Sequence, residues 1–133
     1  MARVDSSSAI HVAAFRAALR SFLRESELVA RASGLTPQRY LLLLMIKGAP
    51  DGSERATVTE LVERLGLAQS TVTELVNRAE ETGLVERSRA DHDGRVAYLC
   101  LTAEGERRLA AAFTQLDVER ERLRVAFAEL DEE

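Results

Sequence analysis

One cysteine in 133 residues cannot close an internal disulfide, so a secreted framework held by cross-links is excluded and a reducing compartment is expected. The opening stretch "MARVDSSSAI" lacks the apolar core of a signal peptide. The most apolar run, "YLLLLMI", is far too short to span a bilayer. No membrane association is therefore expected, and the cytoplasm is the expected location. Tryptophan is absent, and only two prolines interrupt a chain that is 46% hydrophobic and 30% charged, a composition that suits one mostly helical domain able to fold without a metal. No Ser/His/Asp set, phosphate-cradling glycine loop or paired-histidine spacing occurs, so neither an enzyme nor a cofactor is expected. "DHD" at 91–93 is the nearest approach to a metal motif, but adjacent turn residues rarely converge on one ion, and none is assigned. His11 lies off the apolar stripe of its helix and reads as a surface or interface residue. A basic patch is missing too. The net charge is -4, with a small positive excess before residue 54 and an acidic excess after it. Any nucleic-acid contact must then depend on placed groups rather than on bulk charge.

What is present is helical periodicity. Val12, Phe15, Leu19, Phe22 and Val29 form one stripe on a long first helix, which "SGLTP" stops: Gly34 suits a left-handed end, Thr36 a cap and Pro37 a first turn. The next helix is apolar on nearly every side from Tyr40 to Ile46 and must be central. A polar loop, "KGAPDGSERA", leads to Thr59 as the cap of "ELVERL", and Gly66 breaks that helix. A further helix begins near Gln69. Val72, Leu75, Val76 and Ala79 mark its buried side, and Gln69, Ser70, Thr71, Thr73, Glu74, Asn77 and Arg78 its polar side.

After Gly83 the period shortens. "LVER" and "VAYLCLT" suit two strands joined by the charged tip "SRADHDG", with Ala97, Leu99 and Leu101 on one face of the second strand. Thr102 caps a final helix in which Leu109, Leu116, Leu123 and Leu130 recur every seven residues, with Phe113, Arg120 and Phe127 between them. Such a seam wants a partner, and the stripe of the first helix is its complement, so a homodimer is expected. Arg120 should then lie near an acid or at the seam's edge.

Two helices joined at "LGL", followed by a charged hairpin, constitute a winged helix-turn-helix. The fold class is mainly α with a small β-hairpin wing, a winged helix-turn-helix domain plus long N- and C-terminal dimerisation helices. The boundaries are 9–35 and 103–133 for the dimerisation helices and 36–102 for the winged helix-turn-helix, all within a single domain of 1–133. Gln and Asn can bond adenine bidentately, Ser and Thr reach bases or phosphates, and Arg favours guanine, so the polar side of the helix from Gln69 suits double-stranded DNA. Arg89 adds a cation at the hairpin tip.

"LTPQRYLLLL", "VTELVERLGLAQSTVTELVNRAEETGLVER" and "DGRVAYLCLTAEG", with their flanking helices, resemble the MarR family of bacterial transcription regulators over nearly the whole chain. The most specific part is Asp93-Gly94-Arg95 followed by "LCLT". The resemblance implies a homodimeric repressor or regulator on an inverted-repeat operator. It carries major-groove and phosphate contacts to Gln69, Ser70, Thr71, Thr73, Asn77 and Arg78, makes Arg95 a minor-groove finger, and gives Asp93 the role of shaping the wing. It also implies a small aromatic or phenolic effector, for which Phe15, Tyr40 and Met45 are candidate lining residues, although a closed core suits each of them better. Members usually continue into a further helix, whereas this chain stops at Glu133, which implies a shortened chain or a smaller dimer interface. Two other readings stand beside it. A winged-helix interaction or ligand-binding module without DNA binding is favoured by the acidic head and by Glu74. A thiol redox sensor would work through Cys100, although no cation adjoins that residue in sequence.

Overall fold

The computed structural model describes residues 2–89 and 96–131. Asp5 opens α1 (Ser6–Ala32) by accepting from the Ser8 amide at 3.1 Å. Thr36 opens α2 (Pro37–Lys47) in the same way, accepting from the Arg39 amide at 3.1 Å. As the all-round apolar sequence requires, α2 is central, with Tyr40, Leu42, Leu43 and Ile46 buried.

The segment read as loop holds a two-residue strand, β1 (Arg55–Ala56), and the helix after it starts earlier than expected. Thr57, not Thr59, caps α3 (Val58–Leu65). The Thr57 hydroxyl accepts from the Glu60 amide at 3.2 Å while the Glu60 carboxylate accepts from the Thr57 amide at 2.9 Å. Only Thr57 has a glutamate at the reciprocal position, and two satisfied donors outweigh one. Gly66 ends α3 with φ 69°, a left-handed turn that a side chain would strain, and α4 (Gln69–Glu81) follows.

The wing strands β2 (Val85–Arg89) and β3 (Ala97–Leu101) pair antiparallel, Val85 opposite Leu101 and Arg89 opposite Ala97. β1 joins the other edge of β3, so the sheet order is β1-β3-β2. Leu99 is fully buried, while on the opposite face Tyr98 carries the Arg55 guanidinium 4.0 Å from its ring centre.

The single C-terminal helix expected from the heptad is two helices, α5 (Ala103–Thr114) and α6 (Asp117–Ala128), followed by a 3-10 turn. At the break, the Thr114 hydroxyl donates to the Ala110 carbonyl and the Gln115 amide to the Ala111 carbonyl, both at 3.1 Å, so side chains take up acceptors of the last turn. Arg120 spans the break. It pairs with Asp117, donates to the Phe113 carbonyl at 2.7 Å and lies 3.8 Å over the Phe113 ring, which meets the expectation that it would find an acid.

Heptad leucines turn inward: Leu109 and Leu116 are buried, and Leu123 and Leu130 are half-buried where α6 runs along α1 of the same chain. From α1, Phe15, Leu19 and Phe22 are half-buried and Val29 buried, whereas Val12 is exposed. The outward apolar surface of α1, α5 and α6 is made by Val12, Phe113 and Phe127 of the expected stripe and seam, together with Ile10, Leu23, Leu28, Val118 and Val125. Among the described residues, no helix is long and apolar enough to cross a membrane.

Candidate nucleic-acid interface

α4 is anchored by Val72, Leu75, Val76 and Ala79, all buried, which turns the opposite side of the helix to solvent. Gln69, Ser70, Thr71, Glu74, Asn77 and Arg78 are exposed there and Thr73 is half-buried, so the expected residues form one surface. Its first turn is open: Ala68 stands at the cap position with no side-chain hydrogen bond, leaving amide donors of the helix start free of a capping oxygen.

Some cations on this surface are already engaged. Arg78 Nε donates to Glu74 Oε1 at 2.8 Å, and this carboxylate raises the Arg78 pKa further. Arg87, on β2, donates through Nε to Glu80 at 2.7 Å and through Nη2 to Asn77 Oδ1 at 3.2 Å. Sequence reasoning missed Arg87. Its residue type was visible, but nothing in linear spacing brings a strand residue to a helix ten positions earlier. The Arg87 contact uses one of the two lone pairs of the Asn77 carbonyl oxygen and orients the amide, leaving a second acceptor site and two donors for adenine.

A second group missed from sequence is the start of α2. Gln38 and Arg39 border the same groove as Ser70, Thr71, Glu74 and Arg78, about 480 Å3 in volume, so two helices supply the surface. The usable signal was the two polar residues placed just after a cap and before an otherwise apolar helix. Arg89 is exposed at the outer end of β2. Asp93 and Arg95 lie outside the described residues.

The three candidate effector residues are not brought together. Phe15 meets the Phe127 ring edge-on at 5.8 Å, Tyr40 is a core residue whose hydroxyl pKa is raised by burial, and Met45 packs against the core. Tyr40 and Met45 thus take the core places that the all-round apolar sequence of α2 favours. A mostly apolar groove of about 390 Å3 does exist where α2 meets α5, with Leu44, Leu109, Ala110 and Phe113 in its walls and Lys47 and Glu106 at its edge. Lys47 Nζ lies 3.0 Å from Glu106 and 2.7 Å from Glu54, fastening α5 and the loop before β1 to the end of α2.

Cys100 is half-buried on β3, with Sγ 3.8 Å from the Glu86 carbonyl and 3.9 Å from its carboxylate. Burial, then the Glu86 charge, pushes its pKa up, the opposite of what a sensing thiol needs. In the folded chain at pH 7.5, Cys100 should react with iodoacetamide several-fold more slowly than in the chain unfolded by urea. Faster reaction in the folded chain would reinstate the thiol sensor.

This architecture has solved counterparts. A MarR family protein from Bacillus stearothermophilus superposes with a TM-score of 0.72 at 25% identity, over 98% of this chain and 84% of that one. A mutant of MarR from E. coli complexed with operator DNA gives 0.65 at 19% identity, over 81% and 75%, a likeness of fold. The transcriptional regulator HosA of Escherichia coli O111:H- is 37% identical over 78 residues, 59% of this chain and 55% of that protein, so the match spans about half of the relative's length. The MarR family model matches residues 33–96, from the turn before α2 to the start of β3. With the helix pair, the wing strands and the flanking helices superposing on those counterparts, residues 33–96 are a MarR family segment within a chain that has the MarR fold.

Proposed function

We propose that the protein is a sequence-specific DNA-binding transcription regulator, a homodimeric repressor acting in the cytoplasm by binding rather than by catalysis. The observation that carries this reading is the exposed polar face of α4, held outward by four buried residues beside a wing. A MarR relative of the same fold was solved with operator DNA, which supports the same use of the surface here. Gln69, Ser70, Thr71 and Thr73 meet base edges or phosphates from the first turns of α4, Asn77 and Arg78 follow along its outer face, and Arg39 and Arg89 neutralise phosphates. Arg95 is the wing finger, with Asp93 shaping the wing around it. Among the described residues no group of three His, Cys, Asp or Glu side chains is placed to hold a metal.

The outward apolar residues of α1 and α6 are the surface for a second copy. A two-fold axis would set the two α4 helices about 34 Å apart, one turn of DNA. The effector, a small aromatic or phenolic molecule, is placed in the groove between α2 and α5, where it touches both the reading head and the outer helices. Selection from a random duplex library is expected to return an inverted repeat with half-sites about 10 base pairs apart. Recovery of unrelated sequences, or of none above background, would contradict this function.

A further inference from the structure

The middle of the exposed α4 face is a carboxylate. Glu74 lies one turn after Ser70 and one turn before Arg78, and both Glu74 and Arg78 side chains are 60% exposed. Thr36, Gln38, Arg39 and Thr71 stand around the same groove. A negative charge at the centre of a DNA-facing surface is repelled by every phosphate, so it weakens non-specific binding. A favourable role for it there is to accept from a base donor, and the N4 amine of cytosine is the donor that Glu suits in the major groove. Glu74 Oε1 is held at 2.8 Å by Arg78 Nε, which aims the carboxylate and leaves Arg78's terminal nitrogens with donors to offer. Those donors match O6 and N7 of guanine, and in a G·C pair these acceptors lie beside cytosine N4 on one groove edge.

We propose that Glu74 and Arg78 read one G·C pair as a unit, Glu74 being the specificity-determining residue that accepts from cytosine N4 while Arg78 donates to guanine. The proposal rests on the DNA reading given above. It also turns the residue that most favours an interaction module into part of the reader.

The test is the duplex selection repeated with Glu74→Gln and Glu74→Ala, each first checked for an unchanged melting temperature, which the exposure of Glu74 leads us to expect. The wild type should enrich a G·C pair at one position of each half-site. Glu74→Gln, whose amide suits adenine, should lower the cytosine preference there by about 10-fold and raise adenine, with other positions held. Glu74→Ala should flatten that position. A wild type that selects a site which both variants select with the same preferences, only more tightly, overturns the reading unit and leaves DNA recognition intact. A wild type that selects nothing overturns both.

Discussion

Gly105→Ala is expected to destabilise the folded chain by about 2 kcal/mol, read as a lower urea midpoint. Helix propensity alone predicts the opposite sign, since replacing glycine with alanine inside a helix gains about 1 kcal/mol. Sterics decide the outcome. A Cβ at Gly105 would lie 2.1 Å from the Leu84 carbonyl oxygen and 3.1 Å from its carbon, and these are backbone atoms that cannot rotate away. The Leu84 carbonyl also accepts from the Thr102 amide at 3.0 Å, and the Thr102 hydroxyl bonds to the Gly83 carbonyl, so the start of α5 is fastened to the turn after α4. Overpacking typically costs about 1 to 3 kcal/mol, a clash this close with a fixed backbone belongs at the upper end, and subtracting the propensity gain leaves about 2 kcal/mol. Because α5 leads into the outer helices, the substitution should also reset their angle to the reading head. Operator affinity should then fall further than the folded fraction accounts for. An alanine variant as stable as the wild type would show that α5 does not rest against this turn.

Phe127→Glu should leave the chain folded and abolish dimerisation, lowering operator affinity by about 100-fold or more because the two half-sites are then bound independently. Phe127 is 60% exposed on the single chain, so a second copy docked against α1 and α6 would bury it. Burying such a side chain contributes about 1.5 to 3 kcal/mol before the entropy of association is subtracted. Within the chain the ring makes one edge-on contact with Phe15, a pair whose geometry adds only about 0.5 to 1.5 kcal/mol, so the fold should survive its loss. Sedimentation at micromolar concentration would show a species near the 14.7 kDa chain mass for the variant and near twice that for the wild type. Equal masses would remove this surface from the interface.

Local chemistry was the most legible part of the fold. Thr36-Pro37 announces a helix start by cap and ring geometry, and the three-and-four spacing of Val72, Leu75, Val76 and Ala79 fixes which side of α4 is free. Both signals act over a single turn, where sequence distance and spatial distance agree. Long-range closure was not legible. β1 is two residues long, too short for a period, and exists because Ala56 meets Leu99 across the sheet. The heptad at Leu109, Leu116, Leu123 and Leu130 is real, but periodicity does not say whether its partner lies in the same chain, and here much of it is α1. The Thr57 cap was discoverable from its glutamate three residues on. Arg87 and the groove between α2 and α5 were not, because each joins elements that only the fold brings together.

Fluorescence anisotropy of a labelled duplex, titrated with the protein at several salt concentrations, tests the central claim most directly. If Arg39 and Arg89 of each protomer meet phosphates, four contacts per dimer give log Kobs falling linearly with log salt at a slope of about -4. A duplex carrying the selected inverted repeat should bind about 1,000-fold more tightly than random sequence, or better, at equal salt. Anisotropy that stays flat with both duplexes at low salt, where the phosphate contribution is largest, would contradict the account.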